Sequence, residues 1–200
     1  MRLALVCLLP LLLGPPEAVP LLRGDDPSQF ELINIGADSI AIADGEIRLI
    51  GKPLGYFATK REYEDYVLTF EWKFDRPEGL KSDDEFRGNS GVLLHVARPH
   101  KVWPRSVEVQ LAQADPGALF TFGDATLRGQ VDDAAQKAAI RPVGEWNRAE
   151  ITCRAGSIVC VLNGVEVARG EKAEPDRGAI AWQSEGKPVR FRDIRIRVLP

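Results

Sequence analysis

The stretch 89–111, NSGVLLHVARPHKVWPRSVEVQL, restricts the fold more than any other part of the chain. Val107, Val109 and Leu111 alternate with Glu108 and Gln110, and a period of two places side chains on opposite faces only in an extended strand. One face of that strand is apolar and the other carries a carboxylate and an amide. Read the same way, the preceding segment sends Asn89, Leu93 and His95 to one side and Val92, Leu94 and Val96 to the other. The two strands make a hairpin whose loop is crowded with Arg98, His100, Lys101, Trp103 and Arg105.

Strand-like segments recur along the chain at 30–35, 40–43, 46–50, 55–59, 66–74, 91–96, 106–112, 119–122, 146–154, 157–162, 165–168, 178–183 and 189–198, and no long stretch has a helical period. Asp44-Gly45, Ala155-Gly156 and Asn163-Gly164 separate apolar runs, and these pairs tolerate the positive φ that tight hairpins demand. The expected fold is all-β, a two-sheet antiparallel β-sandwich forming a single domain over 28–200. Two segments fall outside the pattern. The acidic 75–88 reads as a solvated loop, and 123–144, with VDDAAQKAAI, as a short helix or a lid to which Arg128 and Lys137 could contribute.

Two hundred residues, 44% hydrophobic and 28% charged, suit one all-β domain able to bury a core without staples. A formal charge of −3 leaves no basic excess to displace counterions from phosphates, so nucleic acid is excluded as a non-specific partner. At the N-terminus, Arg2, the apolar run 3–13 and the break at Gly14, Pro15 and Pro16 read as a secretory signal over 1–18, too short to span a bilayer. Export to the periplasm or the exterior is expected, with no transmembrane segment in the mature chain. Cys153 and Cys160 then remain, on two arms of one hairpin. A two-residue turn sets them diagonally and a four-residue loop directly opposite, so register decides between a disulfide and two buried free thiols.

Glu108 is the leading candidate for chemistry, because partial burial on a sheet face would raise its pKa and suit it to proton transfer; the alternative is a structural carboxylate paired with Arg98 or Arg105. His95 and His100 are the only histidines and could exchange a proton near neutrality. Arg98 and Lys101 offer positive charge, and Trp103 offers either a stacking surface for a sugar or an anchor for its loop. Gln110, Asn89 and Gln183 can both donate and accept, which suits hydroxyl recognition, although Asn89 beside Ser90-Gly91 also fits a turn. Trp146 and Asn147 mark a strand entry. Asp83, Asp84 and Glu85 lack the spacing of a calcium loop, and no G-x-S-x-G elbow, phosphate loop or dinucleotide fingerprint is present, so no metal or cofactor is called for.

The hairpin 89–111, GEWN at 144–147, LNG at 162–164 and FRDIRIR at 191–197 occur in an order that resembles the 3-keto-glucoside 1,2-lyase/3-keto-2-hydroxyglucal hydratase family. The resemblance spans 30–199 and implies a concanavalin A-like sandwich of the lectin and glucanase jelly-roll type. It further implies cleavage of a glycoside already oxidised at carbon 3, by proton abstraction at carbon 2 and expulsion of the oxygen on carbon 1. Glu108 or His95 would be the base, Arg98 or Lys101 the enolate stabiliser and His100 an acid, with an oxidised sugar or glycan as the ligand. One departure stands out: where relatives carry a GALY-like segment, 117–120 reads GALF, so a tyrosine hydroxyl is missing. The second reading is therefore a non-catalytic carbohydrate-binding module of the cell envelope, and a purely structural envelope domain is a third.

Overall fold

The computed structural model describes residues 16–98 and 100–200; most of the expected signal segment falls on 1–15, outside the described residues. Fifteen strands follow in chain order: β1 Val19–Pro20, β2 Phe30–Ile33, β3 Ile40–Ala43, β4 Glu46–Leu49, β5 Gly55–Thr59, β6 Tyr66–Phe74, β7 Gly91–Val96 and β8 Ser106–Gln110. After them come β9 Leu119–Phe122, β10 Thr126–Val131, helix α1 Asp133–Ala139, β11 Asn147–Arg154, β12 Ser157–Leu162, β13 Val165–Glu174, β14 Ala179–Ser184 and β15 Val189–Val198. They form two antiparallel sheets. One runs β10-β13-β12-β11-β6-β15-β4-β3 with β1 added on β15, and the other runs β2-β5-β14-β7-β8-β9. No helix among the described residues is long and apolar enough to cross a membrane.

Alternation builds the core. On β6, Tyr66, Leu68, Phe70, Trp72 and Phe74 are buried while the residues between them are half-buried, so one face of the larger sheet is apolar throughout. These side chains meet Phe57 and Trp182 of the smaller sheet, whose rings stack at 5.1 Å, and Phe191 from β15 closes the layer. The predicted turns form as read: Asp44, Ala155 and Asn163 each take a positive φ ahead of their glycine. The two-residue turn at Ala155-Gly156 pairs Arg154 with Ser157, which sets Cys153 and Cys160 diagonally, and both remain buried free thiols.

Two of the sequence motifs turn out to be one structural clasp. Asn163 at the β12–β13 turn donates from Nδ2 to Asn147 Oδ1 at 2.8 Å, and Asn147 Oδ1 also accepts from the backbone of Arg141 at 2.9 Å. Trp146 lies on the outer face of the larger sheet, 4.0 Å beneath the Arg192 guanidinium and 4.6 Å from the Lys73 ammonium.

The segment 123–144 holds the short helix read from VDDAAQKAAI as α1 but also an unexpected strand, β10, which extends the larger sheet by pairing with a β13 that runs to Glu174, beyond the expected 168. Exposed residues dominate β10, so alternation carried no signal there. The acidic turn is a tether. Asp83 accepts from Arg76 at 2.6 Å and from the Val143 backbone at 2.9 Å, tying the loop after β6 to the chain entering β11.

Candidate functional site

In a sandwich one face of each sheet meets the core, and the other face of the smaller sheet carries the candidate site. Cross-strand register puts Glu31, Tyr56 and Ala58, Ala181 and Gln183, Leu93 and Gly91, Glu108, and Phe120 on that outer face from β2 across to β9. Residues 97–98 and 100–105, which follow β7, are drawn across one end of it. The Tyr56 hydroxyl donates to the Lys101 carbonyl at 2.8 Å, Arg98 reaches Glu31 on β2 at 2.8 Å, and Trp103 packs on Phe122 of β9 with centroids 5.3 Å apart. This cover explains why β7 and β8 are buried on both faces, although half of their outward residues are polar.

Glu108 is 3% exposed, and its Oε1 has no hydrogen-bond partner within the protein. Burial pushes its carboxyl up to about 8, with the Glu185 and Asp115 charges adding in the same direction. Neither Arg98 nor Arg105 neutralises it, since Arg98 is paired with Glu31 and Arg105 with Asp124 at 2.9 Å. Neither arginine pairing expected of a structural carboxylate forms. Gln183, 2% exposed, leaves both its Oε1 and Nε2 unpaired. The two side chains converge over Gly91: a Cβ there would overlap Glu108 Oε1 and lie 2.5 Å from Gln183 Oε1. A buried acid and a buried amide, both unsatisfied and facing one spot, cost free energy in the unliganded protein, and such costs are tolerated where a ligand completes the hydrogen bonds.

Gly91 is thereby a positioning residue. Gly91→Ala should fold, because the overlap falls on the mobile ends of two side chains, with a melting temperature lowered by only about 2–4 °C. Displacing the carboxyl should cut turnover, or ligand affinity, on the order of 100-fold. A variant with full function would remove the convergence at Gly91 from the site.

The remaining predicted residues divide. Asn89 accepts from the Ser90 backbone at 3.0 Å and forms a backbone bridge with Glu185, so it is turn residue and site wall at once. Gln110 lies on the same face as Glu108, but its Oε1 accepts from the backbones of Leu111 at 2.9 Å and Ala112 at 3.2 Å, which commits that atom to turning the chain out of β8. A cleft of about 500 Å³ opens at this end, bordered by Phe86, Asn89, Gln110 and Asp115. Trp103 both anchors its loop on Phe122 and stays 43% exposed.

His95 is corrected. Ala179 pairs with Val96 and Ala181 with Leu93, so Leu94 and His95 together oppose the single residue Ile180, and His95 takes a φ of 55°. This bulge reverses the alternation: Val96 joins the outer cluster and His95 turns to the Tyr66 ring of the other sheet, 5.5 Å away. There it is 1% exposed, its Nε2 is 3.2 Å from the Glu64 carbonyl, and burial lowers its pKa. His100 and Arg98 are likewise placed away from Glu108. His100 Nδ1 sits 3.1 Å from Glu31 on β2, four strand spacings or roughly 19 Å between axes from β8. Burial lowers the His100 pKa, with Glu31 opposing.

Sequence reading passed over Glu185, Asp115 and Tyr56, and noted Phe120 only for its missing hydroxyl, whereas register sets it directly opposite Glu108. Glu185 follows Gln183 by two residues, and alternation alone could have found it; burial raises its pKa and that of Asp115. Among the described residues no group of three or more His, Cys, Asp or Glu side chains is placed to hold a metal ion.

This architecture is a two-sheet antiparallel β-sandwich with the jelly-roll fold that glucanases and carbohydrate-binding modules also adopt. The chain belongs to the 3-keto-alpha-glucoside-1,2-lyase-like domain family, whose model matches residues 17–197. Its fold is similar to that of a proposed glycosyl hydrolase from Parabacteroides distasonis ATCC 8503, at a TM-score of 0.68 and 23% identity over 92% of this chain and 100% of that one. It is also similar to the carbohydrate-binding module CBM66 from Bacillus subtilis, at a TM-score of 0.61 and 9% identity over 89% and 99% of the two chains. The Bacillus licheniformis β-glucanase follows at a TM-score of 0.54 and 10% identity over 94% and 99%. None of the curated proteins matches the chain.

Proposed function

We propose that the protein is an exported enzyme that cleaves 3-keto-glycosides by β-elimination and hydrates the resulting glycal. The family supports this reading, and one observation carries it to particular residues: the unpaired Glu108 carboxyl and the unpaired Gln183 amide converge over Gly91. A ketone at carbon 3 acidifies the hydrogen on carbon 2, and these two reacting positions are adjacent atoms. The chemistry thus needs a base and a hydrogen-bond donor side by side. Glu108 takes the carbon 2 proton while Gln183, through its unpaired Nε2 rather than the Oε1 that faces Gly91, donates to the developing enolate oxygen. The enolate then reforms the ketone, its electron pair makes the carbon 1–carbon 2 double bond, and the carbon 1–oxygen bond breaks. The departing oxygen takes the proton that Glu108 removed, so the carboxylate ends as it began. Hydration runs the same transfers in reverse, with water in place of the aglycone.

A carboxyl at about 8 is a far stronger base than an ordinary one, and that strength is what abstraction from carbon requires. The test is aglycone release from a 3-keto-glucoside and from its parent glucoside. Only the ketone substrate should react, and deuterium at carbon 2 should slow the reaction when abstraction limits turnover. Equal cleavage of both would indicate ordinary acid-assisted hydrolysis. Binding of both with cleavage of neither would establish a carbohydrate-binding module instead.

A further inference from the structure

Exposed aromatic rings are few on this molecule. Among the described residues Trp103 and Phe120, at 43% and 42%, are the aromatic side chains that stand open to solvent, and they flank the same carboxyl. Phe120 pairs directly across β8–β9 with Glu108, and Phe122, opposite Ser106, supports the Trp103 ring. Polarity therefore changes sign across the sheet. On the β14 side of Glu108 stand Gln183 and Glu185, with Asn89 bridged to Glu185 through the backbone; on the β9 side stand three rings. Arg105, two residues from Trp103, is held by Asp124.

We infer that this aromatic row is the leaving-group subsite and that the aglycone it takes is an aromatic or otherwise flat apolar group rather than a second sugar. The inference rests on the elimination reading above. Strands are about 4.8 Å apart, close to the width of one pyranose ring, so a sugar with carbon 2 over Glu108 and hydroxyls toward Gln183 occupies the space over β7 and β14. The bond on the neighbouring carbon 1 then projects its substituent toward β9 when the ring lies across the strands, and toward the Asn89–Asp115 cleft when it lies along them; the aromatic row marks the first path. There Phe120 and Phe122 offer ring faces and no donor or acceptor, which suits stacking and leaves the hydroxyls of a second sugar without direct partners.

The experiment compares benzyl 3-keto-glucoside with a 3-keto disaccharide of glucose in the same anomeric configuration. Benzyl alcohol is no more acidic than a sugar hydroxyl, so a preference for it reports binding and not leaving-group chemistry. Wild type should show kcat/KM at least about tenfold higher for the benzyl substrate, as two ring contacts allow. Phe120→Ser and, separately, Trp103→Ala should each lower that preference to about threefold and the double variant should abolish it, read as the ratio of the two kcat/KM values within each protein. Turnover with equal kcat/KM for both substrates, or a preference that survives both substitutions, overturns the subsite. Absence of turnover with every 3-keto substrate strikes the elimination itself, and the leaving-group assignment falls with it.

Discussion

Glu108→Gln should lose elimination activity by about a thousandfold or more, since the amide cannot accept the carbon 2 proton and a positioned base is worth roughly 10²–10⁴ in rate. Wild-type turnover should itself trace the carboxyl. With Glu108 pushed up to about 8, about one molecule in ten carries the carboxylate at pH 7 and about nine in ten at pH 9. The kcat/KM for a 3-keto-glucoside, which follows the free enzyme, should therefore climb about tenfold over that interval and then level. A rate flat from pH 6 to 9, or a Glu108→Gln protein that keeps a tenth of its activity, would transfer the base role to another group.

The same substitution should stabilise the protein in alkali. Glu108 binds a proton more tightly folded than unfolded, because burial raises its carboxyl from 4.5 to about 8. Its contribution is complete below about pH 4.5 and is lost as pH rises through 8. Converted at about 1.4 kcal/mol per pH unit, that interval corresponds to about 5 kcal/mol at most. Glutamine does not titrate, so denaturant unfolding should show the stability of Glu108→Gln gaining on wild type by a few kcal/mol between pH 5 and pH 9. The other carboxylates are common to both proteins and cancel in the difference, apart from the small effect of removing one charge near Glu185 and Asp115. Parallel pH profiles would mean that Glu108 ionises like a solvated carboxylate. Gain of stability together with loss of turnover is what a site held at the expense of fold energy predicts.

The sheets, the hairpin turns and the side of β8 on which Glu108 stands were legible in the sequence, because each depends on relations between residues at most a few positions apart. A period of two in 107–111 and an Asp-Gly or Asn-Gly pair between apolar runs have the same meaning wherever the chain goes. His95 marks the limit of that logic. Its alternation was correct as far as Leu93, and one extra residue opposite Ile180 turned the ring to the other side of the sheet. Register against a strand more than eighty residues later is not written in the local pattern. The basic loop is the second case: Arg98 and His100 looked available for catalysis, but Glu31, 67 residues before Arg98, takes the guanidinium and stands beside the imidazole. Gly91 is the third, a glycine that looked like a turn and serves as the floor on which two unpaired side chains meet. Local spacing decided which side chains leave each strand on which face, and the pairing of distant strands alone decided which of them share a site, because partners brought together by sheet register leave no trace in the spacing of either one.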